Sequence, residues 1–181
     1  MAYQYVHVHT YSEKLTKVQG TKDQYNNINQ VFEEADRNPN YSEHVKDPLP
    51  PIPLMEQGAM TVKDLRKLHD EHRAKIEETV TLPNGQTYGR NLKSDFPTLY
   101  TEVHSNPMRA EDYRNATQKE RVAVHKWAQI ALADFVSRMP KSIKFAAVVH
   151  LDEGNVHIHI LAVNIGDPKL SANKLHVGKI G

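Results

Sequence analysis

The sequence of 181 residues contains no cysteine, carries almost no net charge and has no long apolar run. Without cysteine the chain can form no disulfide, no thiolate zinc site and no cysteine nucleophile. No apolar stretch approaches the roughly 18 residues that cross a bilayer, and no charged-then-apolar N-terminus indicates a signal peptide. These absences predict a cytoplasmic protein without a membrane span.

The formal net charge is only +1, from 23 Lys and Arg against 22 Asp and Glu. No basic run is long enough to act as a nucleic-acid-binding tail. Any binding of nucleic acid would therefore take place in a local groove formed by the fold. The length predicts one domain over residues 1–181, which could form the N-terminal part of a longer protein.

The order of the predicted elements indicates an α+β fold. We expect a largely antiparallel central sheet with helices packed on one face. Periodicity and turn signals predict a strand at 2–11, a short helix at 24–36, an amphipathic helix from Thr61 with Leu65, Leu68, His72, Ile76 and Val80 on its apolar face, a hairpin turn at Asn84-Gly85, a strand at 98–103, a long helix at 106–138, and strands at 143–150 and 156–163.

Residues 38–60 hold five of the chain's 10 prolines. Because proline lacks the backbone donor that helices and central strands need, this density excludes both. The segment is predicted to be an extended surface excursion, either facing DNA or mobile.

Histidine is the residue in excess, with 11 copies, and three of them fall within one ten-residue segment. His157 and His159 are two apart on a predicted strand, so they project from the same face. The turn around Gly154 can fold the strand that ends at His150 back alongside them. Three imidazoles then converge with Asp152 or Glu153 at the turn, and such a set is typical of a catalytic divalent metal site.

The pattern H-x-D-E-x-x-x-H-x-H in this segment resembles the metal motif of HUH endonucleases, most closely the Mob/Pre (MobV-type) plasmid-mobilisation relaxases. Here it reads His-Leu-Asp-Glu from 150 and Val-His-Ile-His from 156. Val156 replaces the proline common in that family, which removes a rigid turn residue but no ligand. Weaker similarities lie at 1–3, at Asn38-Pro39 and at 169–172.

The resemblance implies an HUH/RRM-like relaxase fold and a metal-dependent enzyme that nicks and rejoins one DNA strand at a transfer origin. It implies His150, His157 and His159 as ligands, with Glu153 as base or orienter beside the nucleophile. Mn²⁺ is the ion that we expect first, with Mg²⁺ or Zn²⁺ as alternatives. The partners that it implies are single-stranded or hairpin DNA at the origin and other relaxosome or coupling proteins.

The nucleophile is the least determined residue. Aligning Asn38-Pro39 and the short helix with the family places Tyr25 at the position of the family's nucleophile, and we predict that Tyr25 attacks the scissile phosphate. A different gap puts Asn27, which is no nucleophile, at that position. Tyr11, Tyr41 and His44 remain alternatives.

Single-stranded DNA would also need cations and stacking rings outside the metal site. The lysines and arginines that could contact phosphate are Lys14, Lys17, Lys22, Arg90, Lys93 and Lys174, and the tyrosines that could stack are Tyr3, Tyr5 and Tyr88. His7 and His9 share a strand face that could join a DNA platform, although a plain polar sheet face is the simpler interpretation of His9.

Three other functions fit parts of the pattern. A rolling-circle replication initiator or an HUH transposase would share the motif and the chemistry and differ only in its DNA target. A cupin-type metal enzyme would need further ligands on distant strands and many Gly-rich turns, and the two long predicted helices disfavour it. A non-catalytic DNA-binding module with a vestigial site conflicts with the intact histidine set.

Overall fold

The computed structural model describes residues 5–18 and 24–176. The predicted contributions of Met1–Tyr3 and Lys22 lie outside these residues. The strands are β1 (Tyr5–Tyr11), β2 (Thr16–Lys17), β3 (Tyr25–Asn26), β4 (Ile52–Pro53), β5 (Glu77–Thr81), β6 (Thr87–Asn91), β7 (Leu99–Arg109), β8 (Lys144–His150) and β9 (Asn155–Val163). The helices are α1 (Ile28–Ala35), α2 (Val62–Arg73), α3 (Ala110–Arg114) and α4 (Gln118–Arg138).

Five strands form the central sheet in the spatial order β1-β7-β9-β8-β4, and every neighbouring pair is antiparallel. Two small antiparallel pairs, β2 with β3 and β5 with β6, lie outside it. The predicted α+β class with an antiparallel sheet is therefore confirmed. The two central strands, β8 and β9, form one hairpin through the turn at 151–154.

Helices cover both faces of the sheet, which differs from the expected single covered face. Phe145, Ala147 and Val149 of β8 belong to the apolar cluster that contains α4. Ala146 and Val148, on the opposite face, belong to the cluster that contains α1 and α2. Because β8 is apolar at nearly every position, both of its faces must be covered.

Helix α2 is shorter than its apolar spacing predicts. It begins after the N-cap Thr61 and ends at Arg73, and the residues that it buries are Val62, Leu65, His69 and Arg73. Val80 lies instead in β5, whose pairing with β6 takes the chain out of the helix. The hairpin turn between these strands is the predicted one, with Gly85 at φ +81°.

The long helix begins later than predicted. Residues 106–109 continue β7, where the register with β9 shifts between Ser105 and Arg109. The Asn155 side chain holds this irregular stretch by donating to the carbonyls of Asn106 and Pro107. The helix α4 starts after Thr117, whose reciprocal hydrogen bonds with Glu120 form a capping box. No helix in the described part of the chain is long and apolar enough to span a bilayer.

The proline-rich segment 38–60 contributes to the sheet rather than only to the surface. Ile52 and Pro53 form the short strand β4, which pairs with the edge of β8 as proline permits. Leu54 is buried against the same cluster as α4. A loop expected to be a surface excursion therefore closes one edge of the sheet.

Candidate metal centre

The three histidines of the β8–β9 hairpin lie on one face of the sheet. His150 pairs with His157, and Val148 pairs with His159, so the alternation of the strands directs all three rings to the side that α1 covers. They are buried, with 2% exposure for His150 and 9% for each of the other two. This register places the three predicted ligands on one sheet face, but His159 is not part of the group of His150, His157 and Glu153 whose ligand atoms lie within 4.8 Å of one another.

Two ring nitrogens face each other at the centre of the group. His150 Nδ1 lies 3.1 Å from His157 Nε2, and the His159 ring centroid lies 6.1 Å from that of His150. The remaining nitrogen of each facing ring meets a backbone carbonyl, Ala35 O at 3.0 Å from His150 Nε2 and Asn155 O at 3.1 Å from His157 Nδ1. Because those nitrogens donate their protons to carbonyls, two lone pairs converge.

The environment keeps His150 and His159 neutral. Burial, reinforced by the nearby Arg37 guanidinium and the other histidines, lowers the pKa of His150 to about 2. Burial also lowers the pKa of His159 to about 3, with smaller contributions from His157 and Arg37. Neutral imidazole is the form that binds metal ions.

Arg37 secures the turn between the two strands. Its side chain is only 3% exposed and binds Asp152 through two hydrogen bonds, of 3.0 Å from Nε and 2.7 Å from Nη2. The same Nη2 lies 2.5 Å from Glu153 Oε1. The backbone N–H of Leu49 donates to Asp152 as well. Of the two turn carboxylates, Asp152 is therefore fully engaged in holding the turn, whereas Glu153 faces the histidines.

The side chains of Glu153, His150 and His157 lie close enough together to hold one metal ion. A Glu153 oxygen, His150 and His157 present ligand atoms that all lie within 4.8 Å of one another. This places Glu153, predicted as a base or orienter, where it could also coordinate. The side chains of Glu34 and His44 form a second group of this kind with Glu153, and burial raises the pKa of Glu34.

The donor set fits a divalent ion. Two nitrogens bound to one ion at about 2.0–2.1 Å stand roughly 3.0–3.4 Å apart, and the facing pair is 3.1 Å apart. An ion there would use the two converging lone pairs, which otherwise oppose each other. Imidazoles with a carboxylate suit Zn²⁺, Mn²⁺ or a similar ion more than Mg²⁺.

A polar cleft of about 970 Å³ lies beside this centre. Its walls include all four candidate nucleophiles, and it reaches the centre through Glu34 and His44, which contact each other at 3.6 Å. His44 also lies 3.8 Å from Glu153. The cleft therefore joins the candidate nucleophiles to the candidate metal centre.

The candidate nucleophiles differ in their surroundings. Tyr25 lies on β3, 54% exposed at the cleft wall. The Tyr41 hydroxyl accepts a hydrogen bond from Asn29, and His44 faces the two glutamates. Burial and Glu34 raise the pKa of Tyr11 to about 12, which disfavours the phenolate that attack requires.

The opposite face of the sheet holds a second buried polar cluster, which the sequence did not indicate. Glu102 is fully buried and accepts hydrogen bonds from Tyr100 at 2.5 Å, His104 at 2.8 Å and Arg138 at 2.9 and 3.1 Å. Burial alone would raise the pKa of Glu102, but these bonds lower it to about 2. His104 is buried and its ring nitrogen is satisfied by Glu102.

Two contributors to the candidate centre, Arg37 and Glu34, are missed by the sequence motif. Arg37 reaches Asp152 across 115 residues, from a position just after α1 with φ +56°. The sequence around an arginine with positive φ in a polar loop contains no pattern that predicts such a contact. Among the predicted phosphate contacts, Lys17 lines the cleft, whereas Arg90 pairs with Glu78 and Lys174 pairs with Asp167.

No family model matches the chain, and no curated protein matches its sequence. Among solved structures it is similar to the MobM relaxase domain (MOBV; Mob_Pre) bound to a 26-nucleotide pMV158 oriT DNA, at 13% sequence identity and a TM-score of 0.51. The similarity covers 98% of this chain and 79% of that one. The protein therefore has the fold of a MOBV relaxase domain, as the resemblance of its histidine motif predicts.

Proposed function

We propose that this protein is a relaxase that uses a divalent metal ion to nick and rejoin one strand of DNA at a plasmid or mobile-element transfer origin. The observation that carries the proposal is the arrangement of His150, His157 and Glu153 on the sheet face beside an open polar cleft. The solved relaxase domain with this fold was captured on origin DNA, which supports the same substrate here.

The proposed centre is built on His150, His157 and Glu153, with His159 as the proposed third imidazole, its ring centroid 6.1 Å from that of His150. A bound ion supplies Lewis-acid polarisation of a phosphate oxygen at the scissile bond. The carbonyls of Ala35 and Asn155 fix which imidazole nitrogen carries a proton and which carries a lone pair. We propose Mn²⁺ as the working ion, with Zn²⁺ and Mg²⁺ as alternatives.

Tyr25 is the proposed nucleophile. Its hydroxyl oxygen attacks the phosphorus, the bond from phosphorus to the 3′ oxygen breaks, and a phosphotyrosine ester to the new 5′ end forms. The tyrosine proton passes to a base, for which Glu153 is proposed, and the leaving oxygen takes a proton to become a free 3′-OH. One phosphoester replaces another, so the step is reversible and needs no nucleoside triphosphate.

The test is formation of a covalent protein–DNA adduct. The protein is incubated with Mn²⁺ and a pool of single-stranded oligonucleotides of varied sequence, each with a fluorophore at its 3′ end. We expect a fluorescent protein band that survives denaturing electrophoresis and is absent when EDTA is present. Mass spectrometry of the DNA-linked peptide then names the attacking residue.

Tyr25→Phe should abolish this adduct, because phenylalanine lacks the attacking oxygen. The matched control is Tyr88→Phe, which changes an equally exposed tyrosine on the β5–β6 hairpin and should leave the adduct unchanged. An adduct on His44 or Tyr41 would overturn Tyr25 but keep the relaxase. No adduct with Mn²⁺, Zn²⁺ or Mg²⁺ on any member of the pool would overturn the relaxase itself.

A further inference from the structure

Four rings alternate along the edge strand β1 and form a continuous strip, which we call the ring ladder: Tyr5, His7, His9 and Tyr11. Tyr5 meets His7 edge-on at 4.8 Å between centroids, and His9 meets Tyr11 at 6.0 Å. The His7 and His9 rings are nearly parallel, 13° apart, with centroids at 6.1 Å. Period-2 alternation places all four on the same side of the sheet.

The ring ladder is open from Tyr5 to His9, whereas Tyr11 packs against the apolar cluster that covers the rest of this sheet face. On the inner strands α1 and α2 pack over Val148, Leu161 and Val163. Along β1, in contrast, Tyr5 is 54% exposed and His7 and His9 are exposed as well. Large rings on a sheet contribute to stability mainly when they are buried, so folding alone does not account for this strip.

The ring ladder leads directly to the candidate metal centre. His7 pairs with Val103 of β7, and Val103 pairs in turn with His159. His9 and Tyr11 line the same cleft as Tyr25. The Tyr11 end of the ring ladder therefore adjoins the cleft beside the candidate metal centre, and its Tyr5 end is exposed to solvent.

The chemistry of the strip matches unpaired nucleotides. Each base has a flat π-face that stacks on an aromatic ring or an imidazole, and in a duplex these faces are already occupied. The His7 and His9 rings are nearly parallel with centroids 6.1 Å apart, so they offer two neighbouring aromatic surfaces to successive bases. Lys17 at the cleft wall supplies a cation for the accompanying phosphates.

We propose that the ring ladder is the surface on which bases of single-stranded DNA stack as the strand enters the candidate centre. The proposal rests on the proposed function for its substrate, since the strand that is cut is the strand that would lie there. It assigns β1 a role in holding the substrate that the histidine motif itself does not provide.

The experiment measures fluorescence anisotropy of a labelled oligothymidylate about 16 nucleotides long, in EDTA so that no metal ion bridges protein and DNA. The double variant His7→Ala/His9→Ala should weaken binding about tenfold or more, because the stacking of at least one base is lost. The variant His7→Phe/His9→Phe should retain the affinity, because phenylalanine preserves the ring. A duplex of the same length should bind equally to all variants.

The matched control is Val6→Ala, which alters an exposed side chain on the other face of the same strand and should leave binding unchanged. Circular dichroism spectra of the variants exclude unfolding as the cause of a loss. Wild-type affinity in the alanine variant, equal losses in the alanine and phenylalanine variants, or no single-strand binding by the native protein would each overturn the proposal. The adduct assay reports separately on the relaxase, because binding in EDTA requires no cleavage.

Discussion

The two faces of the central sheet carry buried polar clusters, one on β7 and the other on β8 and β9, and their hydrogen bonds differ in one respect. Around Glu102 every hydrogen bond closes within the protein, since Tyr100, His104 and Arg138 all point at one carboxylate. Around His150 and His157 the donors turn outward to backbone carbonyls, and the acceptors meet without a donor between them. A closed network stabilises a fold, whereas converging lone pairs leave a place for a cation.

This contrast in hydrogen bonding distinguishes the two clusters better than burial does. His150 and His104 are similarly buried, at 2% and 4% exposure. His104 meets a carboxylate, which suits a donating ring nitrogen. His150 presents its acceptor nitrogen to another imidazole. Substitutions in each cluster should therefore have opposite consequences for stability and for metal binding.

The largest expected effect comes from His157→Ala, which removes one of the two facing nitrogens. Adduct formation should fall below detection and Mn²⁺ affinity, measured by isothermal titration calorimetry, should be lost. The free energy of unfolding of the metal-free protein should fall by no more than about 1 kcal/mol, because no internal donor loses its acceptor on a side chain. Unchanged ion affinity in this variant would place the metal elsewhere.

Glu102→Gln should have the reverse profile. Loss of the charge that Arg138, His104 and Tyr100 share should lower the free energy of unfolding by about 3 kcal/mol, while Mn²⁺ affinity stays the same. Urea titration followed through the fluorescence of Trp127, the chain's 1 tryptophan, measures the change. The control is Glu111→Gln, whose exposed pair with Arg109 should contribute less than about 1 kcal/mol. A loss of ion affinity with unchanged stability would contradict the contrast between the faces.

The smallest expected effect is a pH dependence of the Glu102 contribution. Its pKa is about 2 in the folded protein against the ordinary 4.5, so the unfolded chain takes up the proton first as the pH falls. The stabilisation is therefore complete above pH 4.5 and is lost between 4.5 and about 2. By pH 3 the difference in unfolding free energy between the native protein and Glu102→Gln should have narrowed by about 1–2 kcal/mol. A difference that stays constant from pH 6 to pH 3 would place the proton on another group.

The placement of the three histidines on one sheet face was predictable because a strand, a tight turn and a second strand within one short segment leave few arrangements. The period of two and the turn at Gly154 are sufficient to bring His150 beside His157. The roles of these residues, the identity of the ion and the attack by Tyr25 stay predictions that the adduct assay addresses.

The parts that sequence could not supply depend on contacts between distant segments. Glu102 and His104 alternate with apolar residues in β7, a pattern typical of a solvent-facing side, and only the arrival of Arg138 from α4 explains their burial. The unbroken apolar run of β8 indicated that both faces of the sheet are covered. Periodicity did not identify which helices cover each face. The end of α2 was missed because the β-branched residues that follow it also fit a helical spacing.

The ion pair between Arg37 and Asp152 also joins two segments that are synthesised at different times. The two residues are separated by 115 positions, so a ribosome that adds about 5–20 residues per second makes Arg37 roughly 6–23 s before its partner. Tyr25 emerges earlier still, whereas every histidine of the candidate centre follows Val149. During synthesis the proposed nucleophile is therefore present before the histidines of the candidate centre, and the proposed cleavage has to wait until the β8–β9 hairpin has been made.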